Sequence, residues 1–268
     1  MGGPVYKGLG RVPDRALLVF AGLMYFFLYA PILVLAIFSF NSTRSTQVWT
    51  GFSTEWYGEL LRDQSILDAF RTSMIVGVTA TAIATVIGTL TALALTRHDF
   101  RGETFADSAI YAATVMPEIV VGVSLLVFFV AAGMALGITT IIIAHVAFTI
   151  SFVTIVVRAR LSGMDRSIEE AAQDLGANPV ETFLRVTLPL ILPGVMAGAL
   201  LAFTLSFDDF VITFFVAGVG SSTLPLKIYS MIRFGVSPAI NALSTVVLVA
   251  TMVLIFGGSR VFLRKENG

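Results

Sequence analysis

The stretch ITTIIIAHVAFTISFVTIVV, residues 138–157, decides the fold class. It contains no Asp, Glu, Lys or Arg. An α-helix needs about 20 predominantly apolar residues to cross a hydrocarbon core of about 30 Å, and this stretch has that length. It therefore predicts a transmembrane helix.

The whole chain has the composition of a membrane protein. Its 268 residues are 56% hydrophobic and only 13% charged, with a mean hydropathy of +0.90. This leaves too little polar surface for a water-soluble domain. The net charge is +0 and there are no cysteines. We therefore expect no nucleic-acid partner, disulfide, thiolate metal site or cysteine nucleophile.

Long apolar runs predict an all-α membrane protein, in which six transmembrane helices form one bundle and one domain over residues 1–268. The first run is too long for a signal-peptide core and has no convincing small-residue cleavage site, so we expect a retained anchor. The predicted spans are 16–40, 70–96, 108–132, 138–157, 190–217 and 243–263.

Small residues recur at every fourth position in two of these runs. Such a stripe lets helix backbones approach closely, which favours packing between spans inside a bilayer. The residues are Ala80, Ala84, Gly88 and Ala92 in the second run, and Gly194, Gly198 and Ala202 in the fifth.

The distribution of Lys and Arg predicts the orientation of the chain. Most of the 17 basic residues lie on one side of the predicted spans. Short loops rich in Lys and Arg stay in the cytoplasm, so both termini are expected there. The basic residues on the other side are Arg44, Arg62, Arg71, Lys227 and Arg233.

The connection between the fourth and fifth runs, about residues 158–187, is longer than a helix-to-helix turn needs to be. Ser167 and Glu170 have the spacing of a capping box, and Gly176 has the position of a C-terminal glycine. Between them, apolar residues at helical spacing predict one face of a short amphipathic helix. They are Ile168, Ala171, Ala172 and Leu175.

A second short helix is predicted to follow at once. Asn178 suits its N-cap, and Pro179 suits its first turn. The unit is acidic, whereas a helix bound to anionic lipid headgroups needs Lys and Arg. The acidic charge therefore favours binding to a protein partner. The alternative is that the two short helices lie on the bilayer surface. The acidic residues are Glu169, Glu170, Asp174 and Glu181.

The same connection carries a motif: Glu170-Ala171-Ala172, three residues, Gly176, nine residues, then Val186-Thr187-Leu188-Pro189. It resembles the EAA loop of binding-protein-dependent ABC importers, with Val186 where that family usually has Ile. In the family, this loop forms a coupling helix that docks on the ATPase subunit. The resemblance implies an ATPase-coupling role for Glu169, Glu170, Ala171, Ala172, Asp174, Gly176, Asn178 and Pro179.

Further stretches resemble one branch of that family, the spermidine and putrescine permeases. The resemblance implies a permease subunit of an ATP-driven polyamine importer in the bacterial inner membrane. It also implies an ABC ATPase, a second permease chain and a periplasmic substrate-binding protein as partners. Related permeases for other small solutes share some of these stretches, so a permease for another solute is the alternative function. A homodimer of this chain is the alternative to a pair of different permease chains. The stretches are 38–42, 100–102, 205–209, 224–230 and 235–238.

The chain has no phosphate-binding loop of the type Gly-x-x-x-x-Gly-Lys-Ser/Thr, since none of its lysines follows a glycine. We therefore expect a partner subunit to hydrolyse ATP, and no cofactor, metal or catalytic residue in this chain. A membrane enzyme would need a nucleophile with a base, or a metal cluster. His98 and His145 are too isolated for that, and His145 is predicted to be a hydrogen-bonded packing residue. A stand-alone secondary transporter is a further alternative, but it would not explain the folded acidic loop between the fourth and fifth runs.

Glu118, Asp208 and Asp209 lie in or near apolar runs without a clear basic partner. An ionisable residue near a helix centre costs on the order of 2.5 to 3.5 kcal/mol, so such groups usually face a cavity or a substrate path. On a helical wheel both aspartates point away from a phenylalanine stripe that starts at Phe203 and is expected to meet lipid or another subunit. We predict a pathway for a polyamine cation. The alternative is a hydrated cluster at the outer mouth, with Glu118 hydrogen-bonded beside Pro117.

The segment 224–238 mixes apolar residues with Lys227 and Arg233. This pattern suits a short helix at the outer interface. The resemblance implies a docking or gating role there for the binding protein, and an ordinary connection is the alternative.

Overall fold

The computed structural model describes residues 14–43, 48–233, 235 and 237–266, with side chains up to residue 253. The described part is helical, and apart from one isolated bridge between Asn41 and Phe52 it has no β-structure. The helices are α1 Asp14–Phe38, α2 Glu55–Leu60, α3 Gln64–Arg97, α4 Glu103–Val115, α5 Glu118–Ala131, α6 Ile138–Ser162, α7 Ser167–Asp174, α8 Pro179–Thr182, α9 Leu188–Asp208, α10 Val211–Val216, α11 Leu224–Arg233 and α12 Pro238–Glu266.

Four helical stretches in the described part are long and apolar enough to cross a membrane: 15–38, 64–97, 138–162 and 179–208. The α4–α5 pair brings the count to five if it is one span. The all-α membrane class is thus confirmed. Helix α12 starts with a shorter apolar stretch, 238–253, and the sixth predicted span continues into residues whose side chains are not described.

The prediction of one uninterrupted span over 108–132 is wrong. Helices α4 and α5 meet at an angle of 113°, which makes a broken span or a re-entrant loop. Met116 between them is extended, with φ −67° and ψ 130°. The ring of Pro117 disfavours the helical conformation of the residue before it, so Pro117 is the physical cause of the break.

The predicted span 190–217 is also interrupted. Helix α9 ends at Asp208, Asp209 is extended with ψ 125°, and α10 is a separate helix. A single helical wheel therefore does not describe the phenylalanine stripe. The side chain of Phe203 lies against Gly77 of α3, and the ring of Phe207 packs edge-on against Phe70 at 6.4 Å. Both rings are half-buried, so their contacts with α3 cover them only in part, and the expectation that they meet lipid or another subunit stays a prediction.

The chain divides into two compact units, residues 1–62 with 231–252, and residues 63–230 with 253–268. In the first, the indole of Trp56 donates a hydrogen bond to the carbonyl of Asn41 at 2.6 Å, so the segment after α1 folds back on α2. In the second, α3, α6 and α9 pack around a shared apolar cluster that includes Ala84 and Val153. The predicted small-residue stripes of α3 and α9 are buried here. That the chain is one domain stays a prediction.

Candidate functional site: the loop around α7 and the acidic residues beside α10

Helix α7 begins differently from the prediction. The carboxylate of Asp165 accepts a hydrogen bond from the backbone N–H of Ser167 at 2.9 Å, and this bond lowers the pKa of Asp165. The predicted capping box between Ser167 and Glu170 is not formed. The Oε1 atom of Glu170 instead lies 3.5 Å from Nε of Arg166, one turn earlier on an exposed face.

The end of α7 agrees with the prediction. Gly176 has φ +94°, a left-handed conformation that side chains with a Cβ disfavour. The N–H of Ala177 donates to the carbonyl of Ala172 at 3.1 Å, and the N–H of Gly176 donates to Gln173 at 2.9 Å. These are the two hydrogen bonds of a Schellman motif.

Helix α8 also begins as predicted. The side chain of Asn178 accepts a hydrogen bond from the N–H of Glu181 at 3.0 Å, and the Glu181 carboxylate accepts one from the N–H of Asn178 at 3.3 Å. Helix α8 then continues through a π-helical turn, Phe183–Thr187, into α9. The loop is therefore joined without a break to the long apolar helix that follows.

The predicted apolar face of α7 points away from the rest of this chain. Leu175 is 91% exposed and Ile168 is 45% exposed, whereas Glu169 on another face is only 8% exposed. Exposed apolar residues on a short helix outside the predicted spans are typical of a protein contact surface. This face of α7 is available to a partner.

Glu169 anchors α7 to two other helices. Its Oε2 atom lies 2.9 Å from Nε of Arg97, the last residue of α3. Its Oε1 atom accepts a hydrogen bond from the Thr187 hydroxyl at 2.7 Å. The sequence predicted Glu169 as one acidic residue of the loop, and the resemblance implied a coupling role for it, but neither gave a sign that Arg97 and Thr187 are its partners.

Asp209 has partners within the chain on both carboxylate oxygens. Oδ1 accepts a hydrogen bond from the N–H of Ile212 at 3.2 Å, and Oδ2 accepts from the N–H and the hydroxyl of Thr213, both at 2.8 Å. These bonds satisfy the free N–H groups at the start of α10. Asp209 thus acts as the cap of the helix that follows it.

The prediction that the acidic residues lack a basic partner is wrong for Asp209. The Nε2 atom of buried His145, on α6, lies 3.2 Å from Oδ2 of Asp209 and 3.0 Å from the Thr213 hydroxyl. Its Nδ1 atom lies 2.7 Å from the Ser206 hydroxyl. His145 is therefore a hydrogen-bonded packing residue, as predicted, and it joins α6 to the break between α9 and α10.

Asp208 and Glu118 have a different environment from Asp209. Both side chains are exposed, and neither has a hydrogen-bond or ion-pair partner in the part of the chain that the structure describes. The alternative in which Glu118 is hydrogen-bonded beside Pro117 is not observed. Glu118 begins α5, which packs against α10 through Gly122 and Ile212. All three carboxylates thus lie at or next to the N-termini of two packed helices.

The predicted helix in 224–238 is present as α11. The N–H of Leu224 donates a hydrogen bond to the Ser73 hydroxyl of α3 at 2.8 Å. The ring of Tyr229 packs against that of Phe210 with the centroids 4.5 Å apart. The first contact joins α11 to the part of α3 that is far from Arg97, and the second joins it to the start of α10.

These features define a helical membrane protein in which two long apolar helices are joined by a folded helical loop. The family model described as "Binding-protein-dependent transport system inner membrane component" matches residues 84–263, and the chain belongs to that family. It is 46% identical over 264 residues to the putrescine transport system permease protein PotI of Escherichia coli (strain K12), covering 96% of this chain and 93% of PotI. It is 42% identical over 245 residues to the spermidine/putrescine transport system permease protein PotC of the same strain, covering 91% and 93%.

Solved structures of ABC transporters share the fold. A chain of a bacterial transporter involved in the import of alginate superposes with a TM-score of 0.75 at 16% identity, covering 96% of this chain and 99% of that one. A chain of the MetNI methionine transporter gives a TM-score of 0.62 at 17% identity, covering 80% and 99%. At these identities the likeness concerns the fold alone.

Proposed function

We propose that this chain is the membrane-spanning subunit of an ATP-driven polyamine importer. The observation that carries the proposal is the 46% identity to a putrescine permease over 96% of the chain. The relative at 42% identity is a spermidine/putrescine permease. A secondary transporter or a membrane enzyme has no comparable support in the described structure.

The chain would work in a complex in the bacterial inner membrane. The exposed apolar face of α7 supports docking of an ABC ATPase. That partner would hydrolyse the ATP, and this chain would contribute no cofactor and no catalytic residue. A second permease chain and a periplasmic substrate-binding protein would complete the importer. We propose one permease domain with both termini cytoplasmic and six crossings, with α4 and α5 together as the third and α12 as the sixth.

For the substrate path we propose unequal roles for the three carboxylates. Asp208 and Glu118 are exposed and have no partner in the described part of the chain, so they can bind the ammonium groups of a polyamine by charge-assisted hydrogen bonds. Asp209 already uses both oxygens inside the chain. It would shape the path by holding the break between α9 and α10.

The test is uptake of labelled putrescine and spermidine by the complete complex in vesicles. ATP-dependent uptake of either polyamine, absent when the ATPase subunit is omitted, is expected. Uptake of a different solute only would assign the chain to another ABC permease branch. Uptake that persists without the ATPase would overturn the proposal in favour of a secondary transporter.

A further inference from the structure

Helix α3 connects two regions that the proposed function requires to move together. It runs over Gln64–Arg97, 34 residues, which corresponds to a length of about 51 Å. It is a single helix without an interruption, and it has no proline and no π-helical turn, two of the usual causes of a kink. It can therefore transmit a displacement along its axis.

The Arg97 end of α3 is fixed to the loop at α7. The Glu169 carboxylate contacts the Arg97 guanidinium through one oxygen and the Thr187 hydroxyl through the other. Both partners of the ion pair are largely buried, with 13% and 11% of their side chains exposed. A desolvated contact of this kind is screened less by salt than a surface pair, and removal of one partner leaves a buried charge unpaired.

The N-terminal part of α3 is joined to α11 at Ser73. The Ser73 hydroxyl accepts a hydrogen bond from the N–H of Leu224, and both residues are buried. The two halves of one helix thus contact α7 and α11.

We propose that α3 is the rigid link between ATPase docking and the opposite face of the permease, with Arg97, Glu169 and Thr187 as the positioning residues at its loop end. When the ATPase shifts α7, Glu169 displaces Arg97 and with it α3, and Ser73 carries the movement to α11. In the described part of the chain Glu170 pairs with Arg166, which lies beside it on the exposed face of the loop, and this pair does not reach α3. The inference rests on the proposed function.

The test uses the complete complex in vesicles and measures uptake, ATP hydrolysis and their ratio. Arg97→Gln, Glu169→Gln and Thr187→Val are expected to lower uptake per ATP hydrolysed by about tenfold, the size of a typical coupling between sites, while ATP hydrolysis persists. Thr187→Ser keeps the hydroxyl and should restore the ratio. Arg101→Gln is the matched control, since Arg101 is exposed just beyond α3.

A second measurement follows α11 directly. The chain has no cysteine, so a single Ile232→Cys variant, at a site that is 45% exposed on α11, can carry a spin label. ATP should change the label's mobility in the otherwise natural chain, and Arg97→Gln or Glu169→Gln should abolish that change. This readout does not depend on which solute is transported, so a wrong substrate assignment leaves it intact.

Two results would overturn the inference. One is a label response to ATP in the Arg97→Gln complex equal to that of the natural chain. The other is a parallel loss of uptake, ATP hydrolysis and thermal stability in all three variants, without rescue by Thr187→Ser, which would make these residues purely structural.

Discussion

The imidazole of His145 on α6 and the carboxylate of Asp209, between α9 and α10, lie 3.2 Å apart in the interior of the protein. Asp209 accepts hydrogen bonds from two backbone N–H groups of α10 and from a hydroxyl, so the pair joins three helices at one point. Because the carboxylate is an acceptor only, Nε2 of His145 carries a hydrogen when it binds Asp209. The break in the fifth predicted span is therefore a fixed structural feature.

Asp209→Ala is expected to destabilise the protein by at least about 1.5 kcal/mol, because it removes hydrogen bonds to a charged group and leaves buried donors at the start of α10 without an acceptor. Asp208→Ala is the matched control, because Asp208 is the adjacent residue and its side chain is exposed. This substitution should change the stability by no more than about 0.5 kcal/mol. Denaturant unfolding of the purified subunit in detergent compares the two. Equal stability of both variants would contradict the assignment of Asp209 as a structural cap.

Gly176→Val should impair coupling by straining the turn after α7. A β-branched residue at φ +94° costs of order 1 to 3 kcal/mol, whereas Asn tolerates this conformation better. A Cβ at Gly176 meets nothing within 4 Å, so backbone strain is the only penalty. Crosslinking of an Ala172→Cys variant to the ATPase should fall with Gly176→Val and persist with Gly176→Asn. Failure of that cysteine to crosslink in the otherwise natural chain would count against ATPase docking here.

Gly88→Ala should destabilise the packing of α3 on α6. A Cβ at Gly88 would lie 2.8 Å from Cβ of Val153 and 3.1 Å from the carbonyl oxygen of Ile150. Overpacking of this kind costs about 1 to 3 kcal/mol. Thermal unfolding should show the loss for Gly88→Ala, and Val153→Ala in the same chain, which removes the Cγ1 atom at 2.8 Å but keeps Cβ, should recover only part of it. Gly58→Ala, where a Cβ meets nothing within 4 Å, is the control.

Much of the loop at α7 could be predicted from the sequence because its signals are local. Gly176 and Asn178 each determine backbone conformation within a few residues, and both act as predicted. Pro117 gave an equally local signal for the bend between α4 and α5. The bend was missed because the span was predicted from the mean hydropathy of a long run, and one proline changes that mean very little.

The contacts between distant residues could not be predicted. Arg97 and Glu169 belong to different helices, and so do His145 and Asp209, so only the packed fold brings each pair together. The sequence marked the acids as costly in an apolar setting. It could not separate Asp209, which is satisfied internally, from Asp208, which is exposed.

The cap of α3 should give a dependence of stability on acid pH. Hydrogen bonds from the hydroxyl and N–H of Ser65 hold the pKa of Asp63 below its ordinary value of 3.8. A carboxylate with a lowered pKa stabilises the folded state fully above pH 3.8, and this contribution disappears as the pH falls through the folded pKa. The difference in melting temperature between the natural chain and Asp63→Ala should shrink below pH 3.8. At about pH 3 part of the stabilisation by the charged carboxylate should already be lost. A difference in melting temperature that stays constant down to that pH would show that the charge is irrelevant to the cap.

Asp208→Asn and Glu118→Gln should each lower polyamine uptake without a loss of stability. Both carboxylates are exposed and have no partner in the described part of the chain, so neutralising them removes a charge but no internal bond. A charge-assisted hydrogen bond contributes about 1.5 to 3 kcal/mol, which corresponds to roughly a tenfold to hundredfold rise in the polyamine concentration for half-maximal uptake.

Uptake should be measured over a range of putrescine and spermidine concentrations, together with polyamine-stimulated ATP hydrolysis. Asp99→Asn, at an exposed acid just beyond α3, tests whether any lost charge has this effect, and it should leave the concentration for half-maximal uptake unchanged. Uptake by Asp208→Asn and Glu118→Gln equal to that of the natural chain would remove both acids from the pathway. The substrate assignment would then rest on identity to the polyamine permeases alone.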